Sequence, residues 1–347
     1  MQLLQKPEEF LNDFVTEIRK ADKSIWIQTM SIEPGKVMSS IEKELMEAIK
    51  RGVDVRINYD WVTEKFVHGD LSLLLVLNSK KRSYNKSVRD KTSQMLDRLI
   101  IARVKISKTN QPNLFLSRVP FINRNHIKMY IVDDKKAWIG GINLFDVAFE
   151  NIDLMVKTDN QKIITVLLEQ FKKINENREQ NDYSVNCDKD YSLYIDVGKH
   201  GKSIIYDTAC SMVKDSKKNI IFMSQFTPDN KLLHELIEAS KRNVAITVIT
   251  SGEDDIVLGH YPAKLSYLYF RSILKKYPNI KLINLKKHVH IKLLLVDDRQ
   301  ALFGSHNLTF SGVLFGTEEI MFKISDPELL GQLDKFIQSQ IETLNSH

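Results

Sequence analysis

Apolar and polar positions alternate along this chain in a pattern that runs through twice. Leu11, Phe14, Val15 and Ile18 recur at helical spacing after Pro7 and predict an opening amphipathic helix. Residues 24–32 (SIWIQTMSI) read as a buried strand, 41–50 as a helix that closes at Gly52, and 53–59 (VDVRINY) as an alternating strand. Residues 151–157 (NIDLMVK) predict another strand, and Ile163, Ile164, Leu167, Phe171 and Ile174 a closing helix. The second half restates the plan: 219–226 (NIIFMSQF) matches the strand at 24, and 235–246 (ELIEASKRNVAI) matches 44–55 (ELMEAIKRGVDV) almost letter for letter. Asn243 stands where Gly52 stood, and Asn is the next-best residue for a left-handed helix cap. The strand at 320–324 (IMFKI) is followed by Asp326 and Pro327, a cap and first-turn proline that start the last helix.

This alternation predicts an α/β fold: two similar α/β/α sandwich domains packed about a pseudo-twofold axis, spanning 1–178 and 192–347. The polar, aperiodic stretch 176–190 is expected to link them. Residues 61–125 break the symmetry. Lys80, Lys81, Arg82, Lys86, Arg89, Lys91, Arg98, Arg103, Lys105 and Lys108 have only Asp90 and Asp97 as nearby acids. They read either as a solvated face or as a basic ledge for phosphates of a lipid surface or nucleic acid. The apolar stretch 112–122 (PNLFLSRVPFI), broken by two prolines, reads as core packing, with a wall over a site or a membrane-dipping loop as the other readings.

One segment occurs in both halves with its polar residues in register. Residues 126–143 read HIKMYIVDDKKAWIGGIN, and 290–307 read HIKLLLVDDRQALFGSHN. Each places Lys two residues after His, Asp seven after it and Asn seventeen after it. Packing alone would not demand His, Lys, Gly and Asn at matched offsets twice. The other histidines, His306 among them, lie outside the repeated set and are expected to be structural or surface residues.

Composition changes the picture little. At 347 residues the chain has room for two domains of ordinary size, and its net charge of +6 suits an anionic partner. Cys187 and Cys210 are too few for a disulfide framework or a four-cysteine metal site, which suggests a reducing compartment. The N-terminus carries acids where a signal peptide keeps its apolar run, and no apolar run approaches a membrane span. A cytoplasmic chain, peripheral to the inner face of the membrane, is the expectation.

The repeated segment suits one chemistry. His and Lys two apart on a strand share a face, so two like domains can bring two imidazoles, two ammonium groups and two amides to one phosphodiester. Lys128, Asn143, Lys292 and Asn307 would bind non-bridging oxygens and stabilise transition-state charge. One of His126 and His290 would attack phosphorus while the other protonates the leaving oxygen. Asp153 and Glu318, on the strand after each motif, are candidates to fix the imidazole tautomers. Asp133 and Asp297 complete the motif set, yet an odd offset places them on the opposite side of the strand, closing a turn or bonding backbone. Neither a phosphate-binding GxxxxGK[ST] loop, nor an HExxH, nor a Cys/His cluster is present in the sequence, so no metal or other cofactor is expected.

The two H-x-K-x4-D segments, each followed by Gly-Gly or Gly-Ser and then Asn, resemble the paired motifs of the phospholipase D superfamily. Within it the wording of 124–146 (RNHIKMYIVDDKKAWIGGINLFD), 152–157, 227–230 (TPDN) and 288–298 (HVHIKLLLVDD) is similar to that of bacterial cardiolipin synthases. The resemblance covers nearly the whole chain. It implies a covalent phosphohistidine, with His126 as nucleophile and His290 as general acid, and transfer of a phosphatidyl group from an anionic, phosphatidylglycerol-like lipid to an alcohol. No obligate protein partner is expected, and the chain is expected to function as a monomer. Two departures stand out. This chain shows none of the membrane-spanning segments usual in cardiolipin synthases. It also reads N-L-T-F-S-G from Asn307, where the family usually shows Asp and Arg and where nuclease-like members share this wording. A nuclease or phosphodiesterase acting on nucleic acid is the alternative reading.

Overall fold

A computed structural model describes residues 1–67, 79–111, 122–176, 181–252 and 261–344. Side chains at 79–82, 175–176 and 261–263 are outside that description, and with them Lys80, Lys81 and Arg82 of the basic ledge. The stretch 112–122 lies outside it too, apart from Ile122.

The chain falls into two compact units, Met1–Gln180 and Asn181–His347. In the first, the order is β1 (Gln2–Leu4), α1 (Pro7–Lys20), β2 (Ser24–Thr29), α2 (Lys36–Lys50), β3 (Asp54–Asp60), α3 (Ser79–Ile101), β4 (Lys105–Thr109), β5 (Met129–Val132), β6 (Lys136–Gly140), β7 (Met155–Thr158) and α4 (Gln161–Glu176). The seven strands form one mixed sheet in the order β1-β7-β6-β5-β2-β3-β4. Strand β2 runs parallel to β3 and antiparallel to β5.

The second unit adds β8 (Tyr183–Asn186), β9 (Tyr191–Val197), α5 (Ile204–Asp215), β10 (Asn219–Met223), α6 (Asn230–Lys241), β11 (Ala245–Ser251), α7 (Tyr261–Leu274), β12 (Ile280–Leu285), β13 (Leu293–Val296), β14 (Gln300–Gly304), α8 (Phe310–Phe315), β15 (Glu318–Ile324) and α9 (Pro327–Glu342). Its sheet order is β12-β11-β10-β13-β14-β15-β9-β8, the same plan with an added edge strand. That strand, Tyr183–Asn186, pairs antiparallel with β9 and lies inside the stretch expected to be linker. Its short polar sequence, YSVN, carries no apolar run because its side chains are only half-buried or exposed. The opening strand β1 also escaped the sequence pattern, being only three residues long.

Strand alternation explains the layers. Ile25 and Ile27 of β2 join one core with Phe10, Phe14 and Ile18 of α1, Ile41 and Leu45 of α2, and Met95 and Leu99 of α3. Trp26, pointing the other way, stacks on Phe171 of α4 at 5.1 Å between ring centroids. Helices thus cover both faces of the sheet. In the second unit Ile220 and Phe222 pack with Ile205 of α5, Leu236 of α6 and Phe270 of α7, while α9 contacts β12. The equivalent helix ends at Gly52 and Asn243 both turn through the left-handed region, with φ of 90° and 65°. No helix among the described residues is long and apolar enough to cross a membrane.

Candidate active site

The two His–Lys pairs have the same local geometry. Residues 126–128 form the extended approach to β5 rather than part of the strand, which begins at Met129. Lys128 folds back along that approach and its Nζ donates to the backbone carbonyl of His126 at 2.7 Å. Lys292 Nζ makes the same bond to the carbonyl of His290. Both lysine side chains are fully buried, while His126 and His290 are half-buried. Burying an ammonium is costly unless acceptors surround it, and the carbonyl of the paired histidine is one such acceptor in each unit.

A latch stands one residue before each histidine. Asp60, the last residue of β3, accepts the backbone N–H of Asn125 at 2.6 Å and Nη1 of Arg124 at 2.7 Å. Burial pushes the Asp60 carboxyl up, to about 6, against the pull of Arg124 and of the backbone N–H groups of Val62 and Asn125. In the second unit the strand registers place Ser251 of β11 where Asp60 stands in β3. Its hydroxyl accepts the N–H of Val289 at 2.8 Å. The histidine approach is therefore tied to the same strand end in both units, by a carboxylate in one and a hydroxyl in the other.

The two asparagines are held differently. Asn143 Oδ1 accepts from the N–H of Ser31 at 3.2 Å and the hydroxyl of Thr29 at 3.3 Å, which directs its amide nitrogen away from those groups. Ser224, the register counterpart of Thr29, instead donates to the backbone carbonyl of Asn307 at 3.1 Å. Oδ1 of Asn307 is buried and meets no donor among the described residues.

The carboxylate after the second motif is Glu319, not Glu318. Strand register decides this: Gly140 pairs with Met155 across β6 and β7, and Gly304 pairs with Met321 across β14 and β15. Two residues back from each Met lie Asp153 and Glu319, both buried. Each lies against the residue that follows the motif glycine. A Cβ at Gly141 would lie only 2.5 Å from Asp153 Oδ2, and Ser305, in the same place, donates its hydroxyl to Glu319. Glu318, adjacent on the strand, faces the other way, toward Gly198. Asp153 precedes β7, which begins at Met155. The matching letters D-L-M and E-I-M at 153 and 319 carried this signal in the sequence; the doubled Glu obscured it.

Asp133 and Asp297 serve the backbone. Each adopts a left-handed conformation, φ 56° and 55°. Asp133 accepts N–H groups of Asp22, Lys23 and Ser24 at 2.8–3.3 Å. Asp297 accepts those of Lys217, Lys218 and Asn219 at 2.7–3.1 Å. Burial raises both carboxyls, but these N–H bonds outweigh it and hold them below the ordinary range. Each thus clamps the turn into the neighbouring strand, β2 or β10.

The missing acid after Asn307 is replaced from elsewhere. Asp146 accepts the first N–H groups of α2, from Lys36 at 3.0 Å and Val37 at 2.9 Å. Its counterpart position is Phe310, which cannot accept. There the direction reverses: Asp229, at the start of α6, accepts the N–H of Phe310 at 2.8 Å. The loop after the motif is tied to the same helix start in both units. His306 is buried, accepts the N–H of Leu308 on Nδ1 at 2.8 Å, and has its pKa lowered by burial despite nearby Glu319. It fixes the loop that contains Leu308, whose φ of 56° is rare for a branched residue. Among the described residues no three His, Cys, Asp or Glu side chains gather at metal-binding distance.

Known proteins share this plan. A family model described as "Cardiolipin synthase, PLD-like domain" matches residues 14–175 and 209–341. Cardiolipin synthase B of Salmonella typhi is 23% identical over 328 residues, covering 89% of this chain and 72% of that protein. Cardiolipin synthase A of Yersinia pseudotuberculosis is 22% identical over 329 residues, and the match spans 62% of its length. The fold is similar to that of a phosphatidylserine synthase of Haemophilus influenzae, with a TM-score of 0.75, 14% identity, and coverage of 98% of this chain and 85% of that one. It is also similar to that of a polyphosphate kinase of Porphyromonas gingivalis, with a TM-score of 0.64, 13% identity, and coverage of 98% and 50%. At such identities the structures speak for the fold alone. The chain belongs to the family of cardiolipin synthase, phospholipase D-like domains.

Proposed function

We propose that this chain is a phosphatidyltransferase that acts on an anionic glycerophospholipid through a covalent phosphohistidine, without a metal ion. The observation that carries the reading is the twice-repeated pair of a half-buried histidine and a fully buried lysine, in a chain related to cardiolipin synthases. In the first step a ring nitrogen of His126 attacks phosphorus and the P–O bond to the departing alcohol breaks. His290 delivers a proton to that oxygen. In the second step the acceptor alcohol loses its proton to His290 and attacks phosphorus, the N–P bond breaks and His126 is released. Lys128, Lys292, Asn143 and Asn307 stabilise the charge on the non-bridging oxygens. Asp153 and Glu319 accept from the imidazoles' second nitrogens and stabilise their cationic forms. Asp133 and Asp297 stay outside the chemistry and hold the strands.

Two in-line displacements each invert phosphorus, so the reading predicts net retention. Turnover of a chiral phosphorothioate analogue of phosphatidylglycerol tests it. Retention supports the covalent step; inversion means direct displacement and refutes it.

A further inference from the structure

Helix α7 is apolar on two sides. Tyr267, Phe270 and Ile273 face the core of the second unit. The opposite side exposes Leu265 at 54%, Leu268 at 41% and Tyr269 at 62%. Spacings of three and four place these side chains in one stripe. Single exposed apolar residues are ordinary on a protein surface; three large ones side by side on one helix form a contact surface.

The helix that carries the stripe holds bases and no acid, although Glu253, Asp254 and Asp255 precede it in the sequence. Between 261 and 277 the sequence holds Lys264, Arg271, Lys275 and Lys276 and no acid. Arg271, Lys275 and Lys276 are exposed; by helical angle Lys264 and Arg271 flank the stripe on one side, and Lys275 and Lys276 follow in the turn after the helix. Helix α3, which occupies the same place between strands of the first unit, differs. Its exposed Tyr84 is four turns from Ile100 and Ile101, and it carries Asp90 and Asp97. The stripe begins at the functional end of its unit: Ser266 is 3.3 Å from the hydroxyl of Thr227, in the loop that leaves β10.

We infer that the outer face of α7 docks this protein onto an anionic phospholipid bilayer. Leu265, Leu268 and Tyr269 enter the boundary between headgroups and acyl chains, and the flanking bases meet lipid phosphates. A second protein chain would cover the apolar stripe equally well but gives no reason for a helix that carries bases and no acid. The choice of occupant rests on the lipid reading of the site; the surface itself does not.

The test uses the full chain and vesicles of phosphatidylcholine alone or mixed with phosphatidylglycerol. Sedimentation at low and high salt is compared for wild type, a Leu265→Ser/Leu268→Ser/Tyr269→Ser variant and a Lys275→Glu/Lys276→Glu variant. Each variant's melting temperature is checked against wild type. Activity is also read on lipid dispersed in detergent micelles, where docking is not needed. The expected result is salt-sensitive binding to the mixed vesicles that falls about tenfold or more in both variants, with micellar activity retained. Wild-type binding by folded variants overturns the proposal, as does a wild type that ignores the vesicles. A stripe variant that changes oligomeric state but not vesicle binding assigns the face to a second copy and also overturns it. Vesicle binding without turnover of phosphatidylglycerol would sink the enzymatic reading and leave the docking surface standing.

Discussion

Nη1 of Arg124 donates to Oδ1 of Asp60 across 2.7 Å, and the two side chains are 4% and 0% exposed. The same carboxylate holds the backbone one residue before His126. A buried ion pair of this kind is weak ground for overall stability, because desolvation offsets most of the attraction; removing one partner is another matter. Asp60→Ala strands the Arg124 charge in the interior and should cost about 3–5 kcal/mol in denaturant unfolding. Ser251→Ala, at the matching latch, removes a neutral acceptor and should cost about 1–2 kcal/mol. Equal losses at the two positions would contradict a charged latch in one unit and a neutral one in the other.

The register of β15 makes a sharp prediction about two adjacent acids. On the proposed mechanism Glu319→Gln should lower turnover by about 100-fold or more, since it would remove the charge that stabilises an imidazolium. Glu318→Gln should leave turnover within about threefold of wild type, because its side chain points to the other face. Steady-state kinetics on both variants decides; a larger loss at Glu318 would mean that the register does not report function.

For Asp133 and Asp297 the expected phenotype is stability rather than catalysis. Their folded-state pKa values lie below the ordinary value, so the unfolded chain binds more protons as pH falls. Their stabilisation is present above about pH 4 and is lost as pH drops through the folded-state pKa. Asp133→Asn keeps a side chain that tolerates positive φ and should cost about 1–2 kcal/mol at neutral pH, after allowance for solvent exposure. The gap to wild type should narrow on acidification below about pH 4. Urea melts at several pH values check this, with specific activity at low temperature within about tenfold of wild type. Loss of activity on the scale of a histidine variant would place Asp133 in the chemistry.

His126→Ala and His290→Ala should each lower turnover by about four orders of magnitude or more, and the double variant should add little, because nucleophile and acid act as a unit. Product release from a radiolabelled lipid checks both. Near-normal activity in either variant would remove the paired-motif mechanism.

Much of this was legible in the sequence because the chain is duplicated. The matched helix ends at Gly52 and Asn243 needed the same left-handed turn and kept residues that permit it. Asp133 and Asp297 bond backbone as the sequence suggests, but from the turns after β5 and β13, at positive φ, and not from the far side of a strand shared with His126 and His290. What escaped was set by pairing across the sheet. The place of Glu319 depends on which residue of β15 lies opposite Gly304, and two consecutive glutamates look alike until that register is known. Strand β8 exists because β9 offers it an edge, not because YSVN has strong strand character of its own. The exchange of Asp146 for Asp229 is invisible along the chain, since the two acids sit on opposite partners of the same contact.

Phosphatidylglycerol vesicles and single-stranded DNA, offered in parallel to the purified protein with a chelator present, test phosphatidyl transfer most directly. Lipid mass spectrometry should show consumption of phosphatidylglycerol and appearance of a transfer product, while the DNA stays intact on a gel. Cleaved DNA beside untouched lipid, or lipid turnover abolished by the chelator and restored by a divalent metal, would contradict the account.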